Sequence, residues 1–330
     1  LMVSTYFDNT ERQTTSIELI ERIRQKHPET VDSLERLSNE LQKVALTWWE
    51  VAMSKIDEAS TMYTSAVKQD SNVFIDMAHD SPAKLTQLLD DVCKDLEIID
   101  KTVLKQPTTF YEIAFANSFL YLIETASNYR KLYTKTKDRN FFINAWKFYT
   151  SAFYQIRPLV AQLNSLEIGD SSPYLSNFSL ETSKIPVPGT YSVTQEKSIY
   201  ISSFDHNVKI MDSKQRPRCL VMLGDDGLRY TFLLKAHEDT RLDERVMQLF
   251  SFINSCLMDK KKEPDMPDKW RNSLAITTYK VSPLTPEVGL IGFVKNCETI
   301  ANVVFRYRKK VGVSDRIEYE TVLKRCPKYA

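Results

Sequence analysis

Glycine is scarce in this chain, and its absence from the first half is the most informative gap in the composition. Only 7 of the 330 residues are glycine, and all of them lie at or beyond Gly169. Glycine serves where the backbone must take a positive φ angle, so a long stretch without it favours helices joined by polar turns. We therefore expect residues 1–168 to be helical.

Other absences exclude whole classes of protein. The five cysteines are odd in number, widely spaced and in no metal-ligating pattern, which suggests reduced thiols and no zinc site. With 44 basic and 43 acidic residues, net charge indicates neither nucleic acid nor a membrane surface as a partner. No apolar run approaches the roughly 18 residues that span a bilayer, and no signal-peptide pattern opens the chain. We predict no metal site, no nucleic-acid partner and no membrane span.

Four apolar stripes with helical spacing run through the half that lacks glycine. Within each stripe, apolar residues recur at intervals of three or four. The stripes run from Leu34 through Ile56 to Thr64, from Leu85 to Val103, from Phe115 to Tyr133 and from Phe142 to Val160. Four amphipathic helices with short connections predict a four-helix bundle over residues 34–160. Residues 1–33 are interpreted as the end of a preceding helical repeat.

The pattern changes from helices to strands after about residue 183. Pro186 and Pro188 exclude a helix there, and runs rich in β-branched and aromatic residues follow. Strands are predicted at about 198–203, 207–212, 218–223, 228–234, 274–281 and 288–294, with a helix at about 242–258 between them. The predicted fold class is therefore multidomain, an all-α four-helix bundle followed by an α+β domain within residues 161–330.

One predicted hairpin ends in a lysine whose position suggests a binding site. Two short strands flank Gly224-Asp225-Asp226-Gly227, a strong hairpin signal, and the second strand leads into Lys235. Glu238 and Asp243 follow in an acidic segment that opens a helix. Kinases hold ATP phosphates with a strand-borne lysine whose rotamer a carboxylate fixes. A solvated lysine before a capped helix is the commoner alternative in an arbitrary chain. Which carboxylate pairs with Lys235 stays open.

The residues around this hairpin resemble the kinase N-lobe of the phosphatidylinositol 3-kinase-related protein kinases, and within them the target of rapamycin (TOR) family. That family reads close to S-K-Q-R-P-R at Ser213–Arg218, and close to L-L-K-G-H-E-D-L-R-Q-D-E-R-V-M-Q-L-F at Leu233–Phe250. The chain departs from the family at Ala236 (glycine), Thr240 (leucine) and Leu242 (glutamine). The resemblance implies that residues 161–330 hold a linker, a kinase N-lobe, the hinge and the first helices after it.

The resemblance also implies a site for ATP with Mg²⁺. Its residues are Ser213, Lys214, Gln215 and Arg216 at the phosphate loop, Lys235, Glu238 and Asp243 beside the phosphates, Leu223, Tyr279 and Ile291 at the adenine, and Gly292, Phe293 and Val294 at the hinge. Phe293 replaces a family tryptophan, so the aromatic wall survives in smaller form. The metal ligands of the family are expected to lie outside this chain.

The predicted bundle resembles the rapamycin-binding domain of the same family. The resemblance implies a hydrophobic surface groove formed by Ile56, Ser60, Thr64, Trp146, Thr150 and Phe153. Core packing is the alternative for such an aromatic stripe. The family usually carries aromatic residues where this chain has Thr64 and Thr150, and both losses shrink the pocket. We therefore expect a complex of immunophilin and rapamycin to bind weakly, if at all.

Two parts of the family's catalytic machinery do not occur in this sequence. The catalytic loop, similar to D-R-H-P-S-N, and the metal-binding D-F-G motif are both missing. Because these parts orient the hydroxyl and hold Mg²⁺, we expect the chain to have no catalytic residue of its own and to be inactive alone. We interpret it as a piece of a longer TOR-like serine/threonine protein kinase. A lipid kinase-like fragment and a non-catalytic interaction module are the alternatives.

The resemblance implies partners and a location as well. The expected partners are protein substrates, to which the bundle controls access, and the subunits of a TOR complex. The expected location is the cytoplasm, with association to internal membranes through partners.

Overall fold

A computed structural model describes residues 10–71, 82–181, 183–190, 198–260, 267 and 274–326. The chain divides into two compact units, Leu1–Gly292 and Phe293–Ala330, and each is described by itself. Within the described ranges, no helix combines the length and the apolar character that crossing a membrane requires.

Helices fill the first part of the chain. Their bounds are α1 Thr10–Lys26, α2 Pro28–Ala45, α3 Trp48–Ser71, α4 Pro82–Val103, α5 Phe110–Thr136 and α6 Arg139–Gln162. A capping box begins α5, in which Thr109 and Glu112 each accept a hydrogen bond from the other's backbone amide. Asp138 caps α6 by accepting from the amide of Asn140. The helical character predicted from the missing glycines is confirmed for the described residues up to Gln162, whereas a strand begins at Ser165.

Helices α3, α4, α5 and α6 form the predicted four-helix bundle around one apolar core that includes Leu96, Phe115 and Tyr149. An ion pair is buried inside it, with Nη2 of Arg130 2.6 Å from Oδ2 of Asp100. Burial raises the pKa of the neighbouring Tyr149 hydroxyl. Because burying charges is unfavourable unless they are well paired, this network favours one packing of α4 against α5.

The first predicted stripe is divided between two helices and two cores. Helix α2 ends at Ala45 and α3 begins at Trp48, so the continuous helix predicted from Leu34 to Thr64 is wrong. Leu41 and Val44 of α2 pack in the core of the sheet, whereas Ile56 of α3 packs in the bundle. Apolar spacing is the same for either partner, so periodicity alone does not show where the apolar face changes its neighbour.

Seven strands form a single sheet in the described part of the first unit. They are β1 Ser165–Glu167, β2 Ile201–Phe204, β3 Asn207–Ile210, β4 Arg218–Gly224, β5 Arg229–Ala236, β6 Val281–Pro283 and β7 Val288–Gly292. The order is β1-β3-β4-β5-β7-β6, with β2 also pairing with β4, and these pairings are antiparallel. The predicted α+β domain is confirmed. The strand expected at 274–281 begins only at Val281.

Helices cover one side of this sheet and connect its strands. The short helices α7 Ile168–Ser171 and α8 Pro173–Ser176 follow β1, and the long helix α9 Arg241–Lys260 lies between β5 and β6. Apolar residues of α2, α7 and α8 share a core with Leu220, Phe232 and other residues on one face of the sheet. The opposite face of β4 and β5 is only half-buried.

Up to residue 326, where the description of the second unit ends, it contains the helices α10 Ile300–Val311 and α11 Ile317–Arg325. Thr299 caps the start of α10 by accepting from the amide of Asn302 at 3.1 Å. Gly312 follows its end with φ at 70°, the left-handed conformation that commonly terminates a helix. These bounds agree with the helices that the sequence predicts at about 297–311 and near 316–325.

Candidate functional site

Lys235 lies near the end of β5, opposite Gly289 of β7. Its Nζ is 2.8 Å from Oε2 of Glu238, and the two side chains are 27% and 32% exposed. The chain reverses at His237, whose φ is 59°, and this turn brings Glu238 back to the strand. Of the two carboxylates considered from sequence, Glu238 is therefore the partner of Lys235, while Asp243 lies in the first turn of α9.

An apolar strip runs beside Lys235 on the half-buried face of the sheet. Leu233, two residues before Lys235 and on the same side of the pleat, pairs with Cys219 on one side and with Ile291 on the other. A lysine at the end of an apolar strip suits a ligand with a flat apolar ring and an anionic tail. The sequence interpretation missed Leu233, although alternation from Lys235 would have indicated it.

The structure does not bring Leu223 to this place. Leu223 pairs with Arg229 at the far end of β5. That position is about 20 Å from Lys235 along the strand, at about 3.3 Å per residue. The register therefore places Leu233, and not Leu223, beside Ile291. Both leucines lie on the same side of the pleat, so alternation alone does not choose between them.

The predicted adenine end gathers residues of β6 and β7. Ile291 is buried and pairs with Val281, and the amide of Gly292 donates to the carbonyl of Lys280 at 2.7 Å. Tyr279 precedes Lys280 and is half-buried. Phe293 and Val294, the predicted hinge, belong to the second unit. There the carbonyl of Val294 accepts from the thiol of Cys297 at 3.0 Å.

The predicted phosphate loop, Ser213–Arg216, is the turn between β3 and β4. Because β4 begins at Arg218, opposite Leu234, this turn stands at the Lys235 end of the sheet. Ser213 and Lys214 are exposed, while Gln215 and Arg216 are half-buried. The backbone of Arg216 has φ at 47°, a conformation that disfavours residues other than glycine. The loop therefore takes a left-handed turn without using glycine.

The donor set of this end of the sheet fits a nucleoside triphosphate. Lys235 supplies a cation for phosphate oxygens, and Leu233 with Ile291 supplies an apolar surface for a purine. In the turn, the amides of Ser213 and Arg216 donate to the carbonyls of Met211 and Ser213, so the amides of Lys214 and Gln215 are the ones to consider for phosphate. In the part of the chain that the structure describes, no group of three or more His, Cys, Asp or Glu side chains is placed to hold a metal ion. The geometry thus provides for the nucleotide, and this part of the chain provides no metal centre.

The predicted groove lies between α3 and α6 of the bundle. Ser60, Trp146, Thr150 and Phe153 are half-buried, and Thr64 is exposed. Ile56, in contrast, is 2% exposed and belongs to the bundle core. Ile56 and Ser60 lie on the same apolar stripe of α3, yet one is in the core and the other at the predicted groove. Spacing did not separate them, because a helix stripe is wide enough to face both.

The ring of Trp146 is held by two neighbours. It stacks on Phe142, with ring centroids 6.2 Å apart, and lies 6.0 Å from the ring of Tyr63. Core packing therefore explains part of this aromatic stripe. What remains is a half-buried indole between helices, a suitable floor for an apolar ligand.

A further cavity, of about 490 Å³, is lined in part by His237 and Val288, next to Glu238 and Gly289, while Lys235 itself does not line it. It is bordered by the α2–α3 junction, the end of α4, the start of α5 and the loop before β7. Lys55, Lys105 and Glu287 line it together. Since cations and carboxylates face the same space, the cavity shows no single charge that would identify a ligand.

Two family models match this chain. The FKBP12-rapamycin binding domain matches residues 71–158, and the phosphatidylinositol 3- and 4-kinase family matches residues 229–330. The first match covers most of α4, α5 and α6 and includes Trp146, Thr150 and Phe153. Ile56, Ser60 and Thr64 precede it, so their place in the groove rests on the packing of α3 against α6.

Curated relatives match over nearly the whole chain. The "Target of rapamycin homolog" of Caenorhabditis elegans is 32% identical over 325 residues, which are 98% of this chain and 11% of that protein. "Serine/threonine-protein kinase mTor" of Drosophila melanogaster is 33% identical over 318 residues, 96% of this chain and 12% of that protein. "Serine/threonine-protein kinase TOR2" of Saccharomyces cerevisiae is 30% identical over 329 residues. The chain thus spans about one eighth or less of the length of these relatives.

Proposed function

Because this chain belongs to the target of rapamycin family of kinases, with a rapamycin-binding bundle and the first part of a kinase domain, we propose that the full-length protein transfers phosphate from ATP to serine or threonine residues of protein substrates. The observation that carries this proposal is the salt bridge from Lys235 to Glu238 at the end of an apolar strip. Relatives that are serine/threonine-protein kinases favour a protein substrate over a lipid.

Each residue of this site has a part in binding ATP. The Lys235 ammonium contacts phosphate oxygens, and Glu238 restricts its rotamer so that it points to the same place in every turnover. Leu233 and Ile291 pack against the purine, and Gly292 at the end of β7 offers backbone groups to its edge. Mg²⁺ bound to the phosphates neutralises charge on them when it is present, and its protein ligands lie outside this chain.

The bundle is proposed to control access of protein substrates. Its groove between α3 and α6 presents a half-buried Trp146 with smaller residues around it. We propose that this surface docks substrates and subunits of a TOR complex, and that it takes an immunophilin–rapamycin complex only weakly. The exposed hydroxyl of Thr64 supports the last point, since it offers a ligand little apolar area.

Replacement of Lys235 by methionine tests the proposal. Methionine keeps much of the apolar stem and removes the charge, so phosphorylation of a protein substrate by the full-length protein should fall by about 100-fold or more. Lys135→Met, on the exposed surface of α5, is the matched control and should leave the rate unchanged. Near wild-type rates for Lys235→Met would overturn the assignment, and transfer to phosphatidylinositol alone would favour the lipid kinase.

A further inference from the structure

Arg218, the first residue of β4, has a buried guanidinium group that is only 2% exposed. It lies on the same side of the pleat as its partner Leu234, and therefore on the face opposite Lys235. Its three nitrogen atoms donate to three different acceptors. Nε donates to the carbonyl of Val44 at 3.2 Å, Nη1 donates to the carbonyl of Arg216 at 2.7 Å, and Nη2 pairs with the Glu50 carboxylate.

Glu50 belongs to the junction between α2 and α3. The carboxylate oxygen that pairs with Arg218 also accepts from the amide and the hydroxyl of Thr47, at 3.1 and 2.9 Å. The hydroxyl of Thr47 accepts in return from the amide of Glu50, which is the capping box that begins α3. Val44 lies in the last turn of α2, where carbonyls lack partners within the helix. Arg218 thus joins the end of α2 and the start of α3 to the sheet.

Arg216 makes a second connection, to the end of α6. Its Nη2 donates to the carbonyl of Leu163, directly after α6. Next to it, the amide of Ile210 in β3 donates to the carbonyl of Asn164 at 2.9 Å. Arg216 has φ at 47°, and a residue with a side chain keeps such a conformation only when its surroundings hold it. Contacts from Arg218 and from the end of α6 supply that support.

Both helices that form the groove are therefore attached to one turn, Ser213–Arg216. Helix α3 is attached at its start through Glu50 and Arg218, and α6 at its end through Leu163 and Arg216. We propose that Glu50 and Arg218 are positioning residues for the phosphate-binding turn, and that the bundle sets the affinity for ATP through them. This inference rests on the proposed function, in which that turn contacts the phosphates. Neither side chain reaches the nucleotide itself.

Glu50→Gln in the full-length protein separates positioning from catalysis. Glutamine still offers an oxygen to Thr47 and removes the charge that holds Arg218, so the carbonyl of Arg216 and the turn lose their support. The KM for ATP should rise about tenfold, with kcat and the KM for the protein substrate changed less than twofold. Arg218→Lys keeps the charge but cannot reach three acceptors, and an increase of the same kind is expected.

Asp100→Asn is the matched control, since Asp100 pairs with Arg130 inside the bundle at a similar depth, and neither residue belongs to the junction that Arg218 joins to the sheet. It should reduce stability to a similar degree and leave the KM for ATP unchanged. Equal increases of KM in Asp100→Asn and Glu50→Gln would show a general loss of stability and overturn the inference. An unchanged KM in both Glu50→Gln and Arg218→Lys would overturn it as well.

Amide hydrogen exchange gives a measurement that does not depend on activity. In the full-length protein, peptides covering Ser213–Arg216 should exchange about tenfold faster in Glu50→Gln or, where that variant does not fold, in Arg218→Lys. The same peptides should be unchanged in Asp100→Asn. Unchanged exchange in the first two variants defeats the inference even if Lys235→Met is inactive. An active Lys235→Met defeats the proposed function, whatever the exchange shows.

Discussion

Gly289 is the residue at which β7 and α9 leave no room for a side chain. It faces Lys235 across the pairing of β5 and β7, and Thr240 packs directly against it. A Cβ at this position would lie 2.5 Å from Cγ2 of Thr240 and closer still to its Oγ1. Thr240 is itself fully buried. Glycine is required here because a side chain would not fit. Its small size lets Thr240, just before α9, lie close to β7, the strand that pairs with Lys235.

Gly289→Ala should therefore lower the free energy of unfolding by about 1–3 kcal/mol, the usual effect of overpacking. Adding Thr240→Ala removes two of the three nearest atoms and should recover part of the loss. Gly169→Ala is the control, because a Cβ there meets its nearest neighbour, Oγ of Ser176, at 3.2 Å. Urea unfolding of the three variants checks this, and equal losses for Gly169→Ala and Gly289→Ala would contradict the packing argument.

The structure brings some of the site residues predicted from sequence together and separates others. Lys235, Glu238 and Ile291 lie together, as the interpretation required, whereas Leu223 lies far along the sheet and Leu233 takes its place. Which leucine reaches Lys235 depends on strand register, and register depends on the turn and on the partner strands. The sequence of a single strand does not show how that strand is aligned with its neighbours, so it does not show which leucine lies beside Ile291.

At the scale of helices, α3 and α6 decide how the groove receives a ligand. Their facing positions carry Trp146 as a floor, with Thr64 and Thr150 at the two positions where the family resemblance implies aromatic walls. A buried aromatic anchor often contributes about 2 kcal/mol or more to binding. Two missing anchors correspond to roughly 3–4 kcal/mol, or a few hundred-fold in affinity. Helices α3 and α6 thus offer a half-buried Trp146 without an aromatic side chain at position 64 or 150.

Thr64→Phe combined with Thr150→Tyr should restore much of the affinity for a preformed immunophilin–rapamycin complex. Calorimetric titration of the 330-residue chain measures it, with Thr134→Phe and Thr136→Tyr on the exposed surface of α5 as the control pair. Nanomolar binding by the unmodified chain would show that the pocket has been misplaced. Equal gains from the control pair would show that added apolar area, and not the groove, is responsible.

Helix α2 shows why the whole chain is the right material for that titration. Its apolar face, which includes Leu37, Leu41 and Val44, packs against the sheet and not against the bundle. A bundle cut out at residue 34 would expose this face to water. At about 25 cal/mol per Å² of apolar surface, such exposure favours aggregation or misplacement of the helix.

For the whole molecule, the important fact is which parts of a kinase the 330 residues contain. They include Lys235, which we propose contacts ATP phosphates, and the apolar strip that we propose for the purine, while the catalytic loop and the metal-binding motif of the family do not occur in the sequence. Positioning and electrostatic stabilisation by those parts provide most of the catalysis of phosphoryl transfer. The chain therefore has a surface that suits nucleotide binding without the groups that act on the reacting atoms.

We accordingly expect the isolated 330-residue chain to show no transfer of phosphate to any peptide at millimolar ATP and Mg²⁺. The full-length protein, assayed in parallel, provides the positive control. Activity in a highly purified sample of the chain that disappears in its Lys235→Met variant would contradict this prediction. Activity that persists in that variant would indicate a contaminating kinase.

The sequence by itself determined the family of this protein and most of its elements, although not the break between α2 and α3 or the start of β6. The signals used were local: apolar spacing, the missing glycines and the Gly-Asp-Asp-Gly turn. Each reports on the conformation of a few neighbouring residues, because backbone geometry repeats over that distance. Tertiary structure alone decided the neighbours: the core that α2 joins, the leucine beside Ile291, and the pairing of Arg218 with Glu50, which are 168 positions apart. Such pairings depend on how separate elements pack in space, and neither local composition nor periodicity specifies that packing.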